Sequence, residues 1–307
     1  MFVVCGEALF DVFATGETPT GVSLDARVGG SPFNLATGLA RMGQPVGLLT
    51  QMSNGFLGER LMRALAAEGV YTGLVQRSDA PTTISLIGLN NAGVPSYGFY
   101  GDGCADRRLS LEALAAVPAS TRALCFGSYA TVVGETATTQ RVLIERWRNR
   151  ALIVYDPNIR LNVQPDVDVW REQMKWMLAR TDLLKVSDED LALIEPGSSA
   201  DDFAQAALNQ GVALVVVTRG AQGAVAWTAG HRLEVPSVPV AVIDTVGAGD
   251  SFQAAMLTWL AESNVLRARE LRGLSVSDLH VLLQFAARAA GITCTRRGAD
   301  LPLRDDV

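Results

Sequence analysis

An α/β fold, in which a mostly parallel sheet lies between helices and a smaller sheet stands apart, follows from three features of the 307-residue chain. Short apolar runs alternate with helix-period segments over most of the length, the pattern of strands joined by crossover helices. Two stretches, Thr15 to Arg27 and Thr83 to Tyr100, break that alternation and carry the second sheet. Two helices are entered through glycine-broken turns, Gly29-Gly30 and Gly247-Ala248-Gly249, which bring backbone N–H groups to strand ends, where α/β sheets bind ligands.

The first run, Phe2 to Cys5, is a buried strand closed by Gly6-Glu7, and Leu9-Phe10-Asp11-Val12-Phe13 resumes it with an acid in its middle. Asp11 is either a turn acid or, among apolar neighbours, an acceptor for a polar ligand. Thr15 to Arg27 is a polar, glycine-punctuated excursion. Ser31 as N-cap, Pro32 at the first helical position and Gly43 as stop define a helix; Asn34 in its first turn is poor for a helix and suited to facing a ligand over Gly29 and Gly30. Val46 to Thr50 is a strand and Gly58 to Gly69 a helix. The period then becomes two: Thr83 to Leu89 and Pro95 to Tyr100 flank a turn at Asn90 to Gly93 and form a sheet exposed on one face.

Alternation returns with strands at Ala123 to Phe126, Leu152 to Tyr155 and Leu183 to Val186, and helices at Thr138 to Arg148 and Trp170 to Ala179. Ala213 to Thr218 reads as a central parallel strand, and Arg219 to Gly223 turns the chain into a strand at Ala224 to Trp227. Helices at Ser251 to Leu260 and Ser277 to Ala290 follow, then a basic glycine turn around Gly298.

With 49% hydrophobic and 19% charged residues, the chain buries one sizeable core with an appendage. A net charge of −6 and the absence of clustered basic and aromatic residues exclude a nucleic-acid surface. Lys175 and Lys185 are the only lysines, and G-x-x-x-x-G-K-[ST] is absent, which excludes a P-loop. Cys5, Cys104, Cys125 and Cys294 are far apart and only His231 and His280 accompany them, so buried thiols are expected rather than zinc. The start of the chain lacks a basic leader region and no apolar run reaches membrane-spanning length, so a cytoplasmic protein is expected.

The run Asp244-Thr-Val-Gly-Ala-Gly-Asp250-Ser-Phe252 carries the chemistry. Gly247, Ala248 and Gly249 direct N–H groups toward one space at a helix start, a nest for an anion. An acid beside bound negative charge has work there only if it takes a proton, as a base does when a hydroxyl attacks a phosphoryl group. A tight turn with Asp250 as helix cap fits the same residues. Asp156-Pro157-Asn158-Ile159-Arg160 and Ser187-Asp188-Glu189-Asp190 follow strands; Arg160 suits an anion clamp or a surface ion pair, and the acids a solvated helix start or a magnesium ion held through water.

Gly29 to Asn34 with Leu35 to Gly43, and Asp244 to Phe252, resemble the two signatures of the ribokinase/pfkB carbohydrate kinase family, in order and at the expected separation. The likeness runs through Gly6 to Asp11, Tyr100 to Arg107, Asp156 to Arg160 and Lys185 to Glu189, and within the family it is nearest to bacterial fructokinases. It implies a Rossmann-like, ribokinase-like three-layer core of residues 1–11, 31–72 and 106–307 and a β lid of 12–30 and 73–105. It also implies an ATP-dependent sugar kinase acting on the primary C6 hydroxyl of fructose, with Asp250 as base and Gly247, Ala248 and Gly249 as anion hole. By position, Asp11, Gly29, Gly30 and Asn34 would bind sugar, and Arg160 would reach phosphate or sugar. Lys185, Ser187, Thr218, Gly220 and Gly223 would border ATP; Asp190 would hold Mg2+ through water; Asp244, Thr293, Arg296 and Gly298 would form a loop for a monovalent cation, K+. A homodimer through the lid is expected because its strands are too few to stand alone.

Four departures accompany the likeness, one being Val246, which has no side-chain oxygen and can offer a cation only its carbonyl. Ser187 and Asp190 replace the N-x-x-E pair, Gly101 stands where fructokinases frequently carry another residue, and Ala287 replaces an asparagine near the adenine. Kinases for 2-keto-3-deoxygluconate, ribose or a nucleoside remain alternatives, with Tyr97, Tyr100, Arg107 and Arg108 as candidates for a carboxylate-bearing acceptor; so does a sugar- or nucleotide-binding protein without turnover. An NAD-binding oxidoreductase is excluded, since Gly6 to Asp11 lacks G-x-G-x-x-G.

Overall fold

The computed structural model describes residues 1–89 and 95–307, and the turn expected at Asn90 to Gly93 lies outside them. The chain opens with β1 (Phe2–Cys5), leaves for β2 (Leu9–Thr18) and β3 (Gly21–Gly29), and returns through α1 (Ser31–Arg41) to β4 (Val46–Ser53), α2 (Phe56–Ala67) and β5 (Val75–Ser78). It leaves again for β6 (Ile84–Leu89) and β7 (Pro95–Tyr100) and comes back to β8 (Ala123–Gly127), α3 (Gly134–Trp147), β9 (Leu152–Asp156), α4 (Val167–Leu178), β10 (Leu183–Ser187), α5 (Asp188–Ile194) and α6 (Ala200–Asn209). β11 (Leu214–Thr218), β12 (Ala224–Trp227), β13 (Arg232–Val235), α7 (Ala248–Glu262), α8 (Ala268–Arg272) and α9 (Val276–Cys294) complete it.

Nine strands form the large sheet in the order β13-β12-β11-β10-β9-β8-β1-β4-β5, parallel from β11 to β5, with β12 and β13 antiparallel at one edge. Side chains alternate between two apolar layers as strand geometry requires: Phe2 and Val4 face one and Val3 and Cys5 the other. Leu39 of α1, Leu257 of α7 and Leu282 of α9 fill the first layer, while Leu143 of α3, Trp170 of α4 and Phe203 of α6 fill the second. The three-layer expectation holds. α7 is buried along most of its length because its residues are apolar on nearly every side.

The small sheet has the order β3-β2-β6-β7, with β2 and β6 parallel and the other pairs antiparallel. Its inner strands face the large sheet, and its edge strand β3 leaves Val22 and Leu24 exposed. Two strand placements differ from the sequence reading. β5 falls in the stretch assigned to the lid yet pairs with β4 in the large sheet, and β13 adds an edge strand where none was foreseen. β1 lies between β4 and β8, so successive connections leave it in opposite directions, and this switch point opens a crevice above the strand ends.

Candidate functional site

A cleft of 1190 Å³ runs along those strand ends and beneath the small sheet. Two helix N-termini meet in it. Each helix is entered by a glycine in the left-handed region, Gly30 at φ 103° before α1 and Gly247 at φ 80° before α7, and neither has a side-chain cap. Ser31 was expected to cap α1 and does not; it is the first helical residue, and its hydroxyl donates to Asp250 Oδ1 at 2.6 Å. The Asn34 amide donates to Asp250 Oδ2 at 2.9 Å. Both oxygens of the acid are therefore held from α1. Nor is Asp250 a cap, for the cap position belongs to Gly247.

Burial pushes the Asp250 carboxyl above its ordinary range, against the pull of the Ser31 and Asn34 donors and the Lys185 charge; the Asp156 carboxylate adds to the rise. Beside it, Ala248 N–H turns back onto Thr245 O at 3.2 Å, while the N–H groups of Gly247, Gly249 and Asp250 have no acceptor among the described residues. Those groups form the nest. A side chain at Gly249 would lie 3.2 Å from Lys185 Nζ, so the ammonium stands directly over it.

Lys185, in the middle of β10, is buried and donates to Asp156 Oδ2 at 2.6 Å. Burial alone would lower its pKa, but the Asp156 carboxylate, with Asp250 and Asp190 beyond, outweighs that and holds the ammonium charged. Asp156 Oδ1 is buried without a partner among the described residues. Asp190 accepts from Ile159 N–H at 3.1 Å, and burial together with the Asp156 charge lifts its carboxyl to about 6. Arg160 lines the same stretch of cleft, exposed, with its guanidinium on its neighbour's carbonyl, Ile159 O, at 2.9 Å.

Under the small sheet the cleft is lined by Asp11, Phe13, Ser85, Ile87 and Phe99 from above and Glu7, Ser128, Tyr129 and Asn158 from below. Burial raises the Asp11 carboxyl, opposed by the Ser85 hydroxyl and the Arg160 charge. Gly30 lines this space; Gly29 does not, and its lack of a side chain makes room for the Asp11 carboxylate, which lies where a Cβ would stand. Tyr100, Arg107 and Arg108 do not line it, and the Tyr97 side chain lies outside the described residues.

At the far end Thr218, Gly220 and Gly223 border a slot walled by Val238, Val240, Ala287 and Gly291. Ser187 lines it too, with its hydroxyl committed to Asp190 N–H at the start of α5. The residues assigned to a monovalent cation stand outside the cleft. Asp244 accepts from Val246 N–H at 3.1 Å and Gly298 N–H at 2.8 Å, the Thr293 and Ser251 hydroxyls lie 2.5 Å apart, and Arg296 pairs with Asp306. Among the described residues no three His, Cys, Asp or Glu side chains gather as a metal cage, and no helix is long and apolar enough to cross a membrane.

Ser31 was read only as a cap, and Asp156, Glu7, Ser85, Ser128 and Asn158 were given no role in the sequence reading. Asp156 carried a signal, an acid closing a fully apolar strand; the others are ordinary residues until the chain folds.

Two sheets of this topology around a shared cleft define a ribokinase-like α/β protein. Over residues 1–306 the sequence matches the model of the pfkB family of carbohydrate kinases. A fructokinase from Rhizobium leguminosarum bv. trifolii is 35% identical, covering 91% of this chain and 85% of that one. The structure of a fructokinase from Xylella fastidiosa with bound ATP has the same fold, with a TM-score of 0.88 at 24% identity, covering 99% of this chain and 96% of that one. An uncharacterized sugar kinase from Pyrococcus horikoshii, solved in complex with ATP, superposes with a TM-score of 0.80 at 27% identity, covering 100% and 97%. The chain belongs to the pfkB family and is a carbohydrate kinase.

Proposed function

We propose that the chain transfers the terminal phosphoryl group of ATP to the C6 hydroxyl of D-fructose, with Asp250 as general base. The observation that carries this reading is the carboxyl of Asp250, fixed through both oxygens beside unsatisfied N–H groups and a buried ammonium. Asp250 takes the hydroxyl proton as the sugar oxygen bonds to phosphorus, the bond from phosphorus to the bridging oxygen breaks, and ADP departs. Lys185 and the N–H groups of Gly247 and Gly249 stabilise charge on the moving group. The relatives bearing the name fructokinase support the acceptor, and the ATP bound in the Pyrococcus horikoshii structure supports the donor.

The slot lined by Thr218, Gly220, Gly223 and Ala287 suits the adenosine, and Ser187 borders it. Among the described residues one Asp190 oxygen has no protein partner, and it fits a role as water-mediated partner of Mg2+. Magnesium would neutralise charge on the terminal phosphates. A monovalent cation fits less well, because the side chains of Asp244, Thr293 and Arg296 are already engaged, and no step passes through one.

The chemistry under the small sheet favours a neutral sugar. Asp11, Glu7, Ser85, Asn34 and Asn158 offer oxygens and amides, and Arg160 is the one cation among the described side chains there. A sugar acid such as 2-keto-3-deoxygluconate would set its carboxylate beside Asp11. The small sheet serves as a lid, and the exposed Val22 and Leu24 on its edge strand suit pairing with a second copy. Light scattering that finds only monomer at assay concentrations removes the pairing. ADP release over a panel of fructose, ribose, nucleosides and 2-keto-3-deoxygluconate tests the main reading: turnover fastest with fructose supports it, a preferred sugar acid overturns the acceptor, and binding without ADP release overturns catalysis.

A further inference from the structure

The small sheet joins the large one through four crossings of the chain, with a buried polar residue at three of them and a half-buried glycine at the other. Glu7 stands in the first crossing and Gly30 in the second, where a Cβ would come within 2.9 Å of Glu7 O. Thr83 stands in the third and Asp106 in the fourth, both buried. The Thr83 hydroxyl donates to Asp106 Oδ1, which ties the second pair of crossings together. The third and fourth are fastened through Asp106 to one short turn after β8, and the first lies beside it. Tyr129 Oη donates to Asp106 Oδ2 at 2.6 Å, and the preceding residue, Ser128, lies beside the Glu7 carboxyl in the cleft lining.

Ser128 holds φ at 55°, a left-handed conformation that a residue with a side chain adopts at some cost. Glu7 Oε2 is buried with no partner among the described residues. The turn also carries the lining of the acceptor space: the Phe99 and Tyr129 rings meet edge to face at 5.4 Å, and Arg107 lies 5.2 and 5.6 Å from their centres.

We propose that Glu7 and Asp106 are positioning residues, two buried acids that fasten the lid to the Ser128-Tyr129 turn and so hold the acceptor-binding surface in register with Asp250. No role of this kind follows from the base, the nest or the nucleotide slot. Neither acid touches the reacting atoms; they act through Tyr129 and Phe99.

The pair has a consequence in pH. Burial, reinforced by the Asp106 charge and opposed by Ser128, Glu7's own backbone and Arg160, lifts the Glu7 carboxyl to about 8. Asp106 is also raised, by burial, against the donors Thr83 and Tyr129, the Arg107 charge and its own backbone; Tyr129 and Cys104 face the pair as further titratable groups and are themselves raised. Glu7 is therefore protonated at neutral pH. Its ionisation puts a second buried negative charge beside Asp106 and loosens the crossings.

Because this rests on the sugar-kinase reading for its kinetic arm, a second arm does not. For the kinetic arm, KM for the turned-over sugar is measured for wild type and Glu7→Gln between about pH 7 and pH 9; the ratio of wild-type to variant KM is expected to rise several-fold. Tyr129→Phe, which removes one hydroxyl, is expected to raise KM for the sugar about tenfold with kcat and KM for ATP within about twofold. For the structural arm, amide hydrogen exchange in Leu9 to Phe13 and Ile84 to Gly88 is compared at equal pH. Tyr129→Phe at neutral pH, and wild type against Glu7→Gln at alkaline pH, are expected to exchange faster there. If no sugar is turned over, the functional reading fails and the exchange arm still decides the hinge. Unchanged exchange in both comparisons, or in the kinetic arm a Tyr129→Phe loss shared equally by sugar, ATP and kcat, overturns the proposal.

Discussion

The starts of α1 and α7 are alike in outline and opposite in use. Each follows a left-handed glycine, each lacks a side-chain cap, and the two helices pack so closely that a Cβ on Gly38 of α1 would come within 2.9 Å of Ala254 on α7. At α1, Gly30 is closed against Glu7, and the first-turn side chains Ser31 and Asn34 reach across to the other helix. At α7 the backbone N–H groups are left open to the cleft and the first-turn acid is the one being held. One terminus spends its first-turn side chains on the other helix, and the other keeps backbone N–H groups open to the cleft, as the proposed anion site requires. The difference lies in which groups remain unsatisfied, not in the glycine turns.

The sharpest way to break this comparison is at Asp250. Asp250→Asn keeps the shape and the link to Ser31 but cannot take a proton, so kcat is expected to fall about 10²–10⁴-fold with sugar affinity little changed. Steady-state kinetics beside a sugar-binding titration checks it; near-normal turnover would assign the chemistry elsewhere. Next comes the charge over the nest. Lys185→Met retains the stem, removes the ammonium that faces Gly249, and strands the Asp156 carboxylate. A loss of about 10²–10³-fold in kcat is expected, and a variant that loses ATP affinity alone would reduce Lys185 to a ground-state contact.

The residues proposed to act at α7 are contiguous in sequence, and the side chains that hold Asp250 are not. The glycine run and its following acid are contiguous, so local physics is enough to read a helix start with free N–H groups. Ser31 was misread as a cap because its true partner lies 219 residues away and a hydroxyl before a helix suits capping equally well. The strands of the large sheet were legible where both faces are buried, as in Leu152–Asp156. Val75–Ser78 is only half-buried and Arg232–Val235 mixes charged with apolar residues, so neither stood out as a strand. Glu7 and Asp106 are single acids in a sequence that has 32, and only the meeting of the four crossings sets them apart.

The comparison is sharpened by moving the helices rather than the groups. Gly38→Ala places a methyl against Ala254 and the Leu301 side chain. Overpacking of this kind costs about 1–3 kcal/mol, read as a lower Tm. It also shifts Ser31 and Asn34 from Asp250, so kcat is expected to fall about tenfold while KM for ATP holds. A Tm loss without a kcat loss would mean that α1 is only a neighbour of the base.

Ser31→Ala is the mildest test and the most specific. The hydroxyl donates to the ionised carboxyl and so favours that form; without it the Asp250 pKa, already raised by burial, rises further. Since the base works only when ionised, the acid limb of the kcat profile is expected to move to higher pH. On the alkaline side of that limb Asp250 is ionised in both proteins, and kcat there is expected to agree within about threefold. A profile lowered uniformly, with its limb in place, would show that Ser31 orients the carboxyl without tuning it. A limb unmoved by Ser31→Ala and by Asn34→Ala alike would mean that the titrating group is not Asp250, and the assignment of the α7 terminus would have to be made again from the nest alone.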